Sequence, residues 1–446
     1  MPRADVVVVG AGLAGMTAAI ALAEAGARVE VVARGHAATH WTGGGIDVAA
    51  PDGSHSPAEG IERLARRQGH PYEILGAGLP AALAALRSTL AEEGLVYAGE
   101  LDDPLRAVPT AIGGTRRAAI LPNAQAGALG PWRTGERLVV CGPARFKDFW
   151  PDAIVASLRR PAVWGPDVGS GGRPSGLEAL VVELPGLESR HNLSALDLAR
   201  FFDDPAWRTD ALERIARAIE RGGTPRDGGR IALPAVLGLA DHVAAFEAAS
   251  RILPLAPFEV PLVSPSVPGL RLYAALRAAL RRRGGRLVIG EPVAGITVEK
   301  RRVTGVAATA AVRERVIRTE ALVLATGGIA GGGLIGRADG RLVEPLLDLP
   351  VEAPPAERWL SVDPFDPAGH PLEAAGIRTD ADLRPVDSGG NVVLDNVVVV
   401  GSLIAGQRYL SERCGDGVAI ASGHRAGAML APRTAPPEPE PAGTRR

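Results

Sequence analysis

The first 35 residues restrict the fold more than any other stretch of this 446-residue chain. Asp5 to Val9 holds four consecutive valines, the pattern of a parallel strand buried on both faces. Gly10, Gly12 and Gly15 follow, and Leu13 to Ala25 reads as a helix with small residues on one face, closed by Gly26. Arg28 to Ala33 is the second strand. Strand, glycine turn and helix in this order are the context in which three such glycines mark a nucleotide site. Gly10 makes the turn, Gly12 lets the backbone approach a diphosphate, and Gly15 lets helix pack on strand. Leu13 and Ala14 open the helix, whose free N–H groups and partial positive charge favour a phosphate. The same residues explain why Val6 to Ala23, uncharged and nearly long enough to cross a bilayer, does not read as a span.

The second strand departs from the usual pattern. An acid is expected at its end, to take the ribose hydroxyls of an adenosine. Ala33 stands there, with Arg34 next, and Glu30 comes three residues too early. Three readings stay open: a ribose held by other groups, a mononucleotide such as FMN, or an NADP 2′-phosphate on Arg34. Arg34 also reads as an ordinary surface charge.

Length points to two intertwined domains. A composition of 46% apolar and 22% charged residues is that of an ordinary globular protein, and a net charge of −1 leaves no basic field for nucleic acid. Two cysteines, Cys141 and Cys414, exclude a disulfide framework and a CxxC metal or iron–sulfur site. No metal site is expected. A reducing, cytoplasmic setting fits, and the start of the chain shows no signal peptide.

Further on, helical patterns cover Pro57–Arg67, Leu79–Glu93 and Pro268–Arg283. Arg286–Ile289 reads as a strand, and Val293–Glu299, Val303–Ala310 and Val312–Arg318 as a β-meander. Ala321–Ala325 is a buried strand ending in Thr326-Gly327-Gly328, which resembles the strand end of two-domain flavoproteins. Thr379-Asp380 with Leu383-Arg384-Pro385, then Asn396 to Gly401, resembles their C-terminal flavin segment. Gly415-Asp416-Gly417-Val418 opens a helix whose N–H groups suit the flavin edge where negative charge develops on reduction. Gly43, Gly44 and Gly45 form a glycine loop after the second strand.

These pieces predict an α/β fold: a Rossmann-like flavin-binding domain of the two-domain FAD/NAD(P)-binding flavoprotein type, with an inserted α+β second domain. Residues 1–75, 265–335 and 391–431 are expected in the flavin domain, and 76–264 and 336–390 in the second (substrate or partner) domain. The Pro- and Glu-rich residues 432–446 are expected to be a disordered tail.

Local matches along the chain, in order, resemble the flavoprotein B-subunit family of the anaerobic glycerol-3-phosphate dehydrogenases. They include Arg34-Gly35 with His40, Gly44 and Asp47; His70-Pro71-Tyr72 with Leu75-Gly76; and Asp148-Phe149. Ala199-Arg200-Phe201, Pro234-Ala235, Gly238-Leu239-Ala240-Asp241 and Pro265-Ser266-Val267 with Gly269 and Arg271-Leu272 continue the series. Gly332-Gly333-Leu334, Glu344-Pro345, Gly401-Ser402 and Cys414-Gly415 with Gly417-Val418 complete it. The resemblance implies a three-chain complex. Glycerol 3-phosphate is held by a related flavin subunit, this chain carries FMN (FAD being the alternative), and an iron–sulfur subunit ties both to the membrane. Electrons pass to a quinone, then to fumarate or nitrate. The chain itself is expected to be cytoplasmic and peripheral, without a span of its own. Asp416 stands where the family often has a small residue, and an ionised Asp there would oppose an anionic reduced flavin.

Alcohol oxidation needs a base, and a phosphorylated substrate needs cationic groups. His40, in the glycine-rich loop, is a candidate proton shuttle or flavin attachment point, or else merely caps the loop. His70 and Tyr72 are candidates that equally read as ordering their loop. Arg116 and Arg271 follow turns and are phosphate candidates, though any one Arg in so Arg-rich a chain is more often a surface group. His370 and Arg408 are weaker. Two functional readings follow: a subunit taking part in glycerol 3-phosphate oxidation, or a flavin relay that never meets the substrate. A third keeps the fold and changes the substrate.

Overall fold

A computed structural model describes residues 3–165, 172–190, 192–222, 229–310 and 313–432. Arg3–Val9, Val29–Ala33, Arg286–Ile289, Arg313–Leu324 and Val397–Val399 form the parallel part of a seven-stranded sheet. Arg3–Val9 lies between Val29–Ala33 and Arg313–Leu324, with Arg286–Ile289 at one edge. Every residue of Val6–Val9 is buried, as a valine run with both faces covered requires.

The expected meander is present, Val293–Glu299 and Arg302–Ala310 running antiparallel. Its third strand differs from expectation. Val312 lies outside the described residues, and the rest of that run joins the run from Ala321 in one strand, Arg313–Leu324. Residues 313–318 pair antiparallel with Arg302–Ala310, and residues 318–324 pair parallel with Arg3–Val9. Thr319 and Glu320 fall between the two expected runs. Thr319 is buried, its hydroxyl accepting from the Val7 N–H at 3.2 Å.

The helix Leu13–Glu24 packs along the helix Gly415–Leu430 through missing side chains. A Cβ on Gly423 would collide with the Ala14 carbonyl, and one on Gly427 with the Ala21 side chain. Both contacts ascend together, so the helices run roughly parallel and their N-termini point the same way. Gly415 lies eight residues ahead of Gly423, so its helix reaches about 12 Å farther in that direction.

The inserted unit has a second hydrophobic core, around Leu138, Val140, Leu198, Leu212, Ile231 and Phe258. Its four-stranded sheet runs Ala256–Val260, Gly229–Pro234, Arg137–Pro143, Gly176–Val182 and is parallel throughout. The same segment also holds antiparallel pairs, Tyr97–Ala98 with Leu121–Pro122 and Arg106–Pro109 with Thr115–Ala118. The strands Arg137–Pro143 and Gly229–Pro234 are buried apolar runs, and parallel neighbours need crossovers, supplied by helices such as Pro205–Arg221. Leu79, Leu83, Leu86 and Leu90, and later Leu349, Ile377 and Leu383, belong to the first core, although both stretches were expected in the second domain.

Tyr72–Glu92 is long and apolar enough to cross a bilayer. It packs instead on Gly415–Leu430, with Tyr72, Leu75, Leu79 and Leu90 in the core. Val6 to Ala23 is strand, turn and helix, as expected. Residues 433–446 of the expected tail lie outside the described residues.

Candidate functional site

The glycine loop has the geometry that its spacing predicts. Gly10 has φ +112°, and a Cβ there would strike the Ala325 carbonyl. A Cβ on Gly15 would strike the Gly10 carbonyl, so helix and strand meet only without it. Gly12 is the N-cap, with no side-chain bond to the helix and no close neighbour for a Cβ. The N–H groups of Leu13 and Ala14 are therefore left for a ligand. Thr326 follows the neighbouring strand, and its hydroxyl is buried without a partner. Gly327 continues at φ +79°, and Gly401, at φ +71°, closes on Ala14.

The second strand ends as read, with Ala33 buried and Arg34 exposed; the neighbouring strand brings Glu291 past this end, Gly290 N–H donating to the Ala33 carbonyl at 2.9 Å and Arg315 holding the Glu291 carboxylate at 2.8 Å. Glu30 is buried and held by Arg315 at 2.5 Å, with Arg286 at 3.6 Å. It serves the sheet.

The loop Gly43-Gly44-Gly45 is pinned between the two cores. The Gln125 amide donates to the Gly43 carbonyl at 2.8 Å, and the Tyr97 hydroxyl to the Gly44 carbonyl at 2.7 Å. A Cβ on Gly45 would overlap the Arg116 guanidinium. Arg116 donates to both carboxylate oxygens of Asp47 at 3.0 Å. The Asp47 N–H donates to the Asp416 carboxylate at 2.9 Å. Arg116, Asp47 and Asp416 thus come together at the N-terminus of the helix Gly415–Leu430. Burial pushes the Asp416 carboxyl up to about 7 and the Asp47 charge adds to that, against the Asp47 N–H and Arg116. A carboxyl raised that far is partly protonated at neutral pH, which weakens the opposition expected between an ionised Asp416 and an anionic flavin. Asp416 takes up a proton in the neutral range.

The other catalytic candidates have structural partners. His70 is buried, and its Nδ1 accepts from the Tyr72 N–H at 3.1 Å, which leaves Nε2 to donate to Glu412 at 3.3 Å. Glu412 also accepts from Arg67, the Arg408 N–H and the Cys414 thiol. His70, Glu412 and Cys414 could hold a metal by proximity alone, yet each bonds to a protein group. The Tyr72 hydroxyl donates to the Val48 carbonyl, and a Cβ on Gly417 would overlap that hydroxyl. His70 and Tyr72 thereby hold the turn that carries Asp416, with Val418 buried behind it.

His40 is half-buried, its Nδ1 on the Ala37 carbonyl and its ring against His36, Trp41 and Tyr273. Contrary to expectation, Arg271 does not face a cleft. It is buried, bonded to Glu259 at 2.6 Å and to the Gly238 carbonyl at 2.6 and 2.8 Å, so no free donor faces a phosphate. His370 accepts from Ser361 N–H, and Arg408 donates to the Ala368 carbonyl, on a different loop.

These residues fit a flavin. The glycine cradles exclude side chains where a nucleotide needs backbone contact. Thr326 Oγ1, Gln125 Oε1 and the Tyr273 hydroxyl are buried and unpartnered around the loops, a cost of about 1–3 kcal/mol each that a polar ligand removes. Sequence reasoning passed over Gln125, Tyr97 and Tyr273 because they lie in the inserted segment or on a helix, without a motif.

The family described as FAD binding domain matches residues 5–418. The chain is 31% identical over 443 residues to the probable anaerobic glycerol-3-phosphate dehydrogenase B-subunit of Halobacterium salinarum, covering 96% of this chain and 98% of that one. It is 30% identical over 440 residues to the B-subunit of the same enzyme from Yersinia pestis bv. Antiqua, covering 94% and 96%. Among solved structures, a flavocytochrome c3 fumarate reductase aligns over 96% of this chain and 78% of its own, at 12% identity and a TM-score of 0.44. The chain therefore belongs to the FAD-binding domain family and, within it, to the B-subunit proteins of anaerobic glycerol-3-phosphate dehydrogenase.

Proposed function

We propose that this chain is the flavin subunit of a quinone-linked glycerol-3-phosphate dehydrogenase, oxidising glycerol 3-phosphate to dihydroxyacetone phosphate together with partner subunits. The observation that carries this is the placement of Asp416. Two helix N-termini open on one side of the molecule, and the farther one bears a titratable acid poised near neutrality. The Gly10–Gly15 loop, with Leu13, Ala14, Thr326 and Gly401, would hold the flavin phosphate. Gly43, Gly44, Gly45, Gly415 and Gly417 would line the ring. The bound flavin supplies the hydride acceptor. Asp416 holds the alcohol proton, Arg116 and Asp47 set its charge, and His70 and Tyr72 keep its turn in place. On the residues alone the bare strand end at Ala33 favours FMN, while membership of the FAD-binding domain family favours FAD. The remaining parts of the assembly are a second flavin subunit and an iron–sulfur subunit that holds the complex at the cytoplasmic membrane face.

Mass spectrometry of the acid-released cofactor tests the first part. FMN is expected. FAD alone would overturn the reading of Ala33, and no flavin would overturn the whole proposal. Dye reduction with glycerol 3-phosphate tests the second. Turnover is expected to be poor alone and restored by the partner flavin subunit, so full activity of the isolated chain would remove the need for a partner.

A further inference from the structure

Arg413 precedes the helix Gly415–Leu430 and is a left-handed residue, φ +49° and ψ +44°, without being glycine or asparagine. Such a backbone is costly for a long side chain and persists where the surroundings hold it, most often at functional sites. Its guanidinium is half-buried and donates to the Arg117 carbonyl at 2.9 Å. Among the described residues it has no carboxylate within ion-pair distance. Burial lowers its hold on the proton; Asp47 opposes this, and the neighbouring Arg116 and Arg117 add to it.

Arg117 also lacks an ion pair among the described residues. It is half-buried and donates to the Ser54 carbonyl. The Ser54 hydroxyl is buried and unpartnered as well. Arg116 completes the group, but both oxygens of Asp47 already engage it. Asp52 lies nearby and is exposed to water. Neither guanidinium has a direct ion pair among the described residues, although Asp47 and Asp52 act on Arg413 and Glu59 on Arg117 at longer range, beside the turn that carries Asp416. Half-buried like charges repel one another, and an anion between them converts that repulsion into binding.

We infer that Arg117 and Arg413 form the subsite for a phosphomonoester dianion, distinct from the cofactor phosphate held at Gly10–Gly15. A phosphomonoester carries about −1.5 to −2 charges at neutral pH and matches two guanidinium forks, where a single carboxylate leaves one unpaired. Only the identity of the ligand, glycerol 3-phosphate, rests on the function proposed above. The site itself rests on the charge arrangement.

The test uses the flavin-loaded protein, titrated with inorganic phosphate, glycerol 3-phosphate and glycerol, and read by calorimetry and by the flavin absorbance difference. Phosphate and glycerol 3-phosphate are expected to bind, and glycerol not. Arg413→Gly removes the charge and suits the left-handed backbone. It is expected to keep flavin content and melting temperature while weakening both anions at least tenfold. Arg117→Gln is expected to weaken them similarly, and Arg413→Lys to recover part of the affinity. Unchanged affinity in Arg413→Gly overturns the subsite, as does wild-type protein that binds no phosphate. Loss of flavin instead of phosphate binding would assign the cluster to the cofactor. Tight binding of inorganic phosphate without oxidation of glycerol 3-phosphate in the full complex would keep the subsite and sink the proposed substrate.

Discussion

Asp416 shows how position alone changes the chemistry of a residue. A carboxyl near the first turn of a helix is ordinarily stabilised as an anion. Here burial and the Asp47 carboxylate outweigh the Asp47 N–H and Arg116 and lift it from 3.8 to about 7. The sign for stability follows from linkage. A carboxyl whose folded pKa lies above its unfolded value binds its proton more tightly in the folded state, so it costs stability as pH rises between about 4 and 7. Asp416→Asn keeps an oxygen acceptor for the Asp47 N–H and removes the charge. Its melting temperature relative to wild type is expected to rise from pH 5 to pH 8. Thermal unfolding of both proteins across that range checks it, and a constant difference would mean that Asp416 ionises normally in the fold. From the sequence, Asp416 was legible as a helix-opening acid near the flavin. Its partner Asp47 was not, because 369 positions separate them.

At the scale of elements, the site depends on two helices kept at close range. Gly423 and Gly427 replace side chains that would strike Ala14 and Ala21. Gly423→Ala therefore puts a methyl into the Ala14 carbonyl and pushes the phosphate-binding end of Leu13–Glu24 off the strand. Overpacking of this kind costs about 1–3 kcal/mol. Both a lower melting temperature and a reduced flavin-to-protein ratio are expected. A destabilised variant that still holds full flavin would separate helix packing from cofactor retention. The helix signals themselves were readable: the strand Arg286–Ile289 and the helix Val267–Arg282 stand within a residue of expectation, because apolar periodicity and the end of a helix are local properties. The unbroken strand Arg313–Leu324 was not readable, because a buried Thr319 is satisfied by a bond to another strand.

At the scale of the molecule, Arg271 ties the two cores together. Its helix places Leu272, Leu276 and Leu280 in the first core. Its guanidinium reaches Glu259 and Gly238, next to Phe258, Val260 and Leu237 of the second. Both side chains of the ion pair are almost fully buried, at 3% and 0% exposure. Arg271→Met leaves Glu259 as an uncompensated buried charge and is expected to destabilise by about 3–5 kcal/mol. Pairing it with Glu259→Gln is expected to recover a large part of that loss. Denaturant unfolding of the two single variants and the double variant measures the coupling, and strict additivity would show that the pair does not act as a unit.

The chain's order of strands, glycines and helices determined the nucleotide-binding fold by itself, since turn geometry, strand burial and helix ends are written in neighbouring residues. The missing acid at Ala33 was equally plain. Which charges meet was decided only by tertiary structure. Arg271 and Arg116 looked alike in sequence, each following a turn. One is sealed against Glu259 between two cores, and the other stands with Asp47 and Asp416 at a helix terminus. Arg413 carried no signal, because a left-handed backbone and the lack of a direct ion pair among the described residues are properties of the folded surroundings and have no local pattern in the sequence.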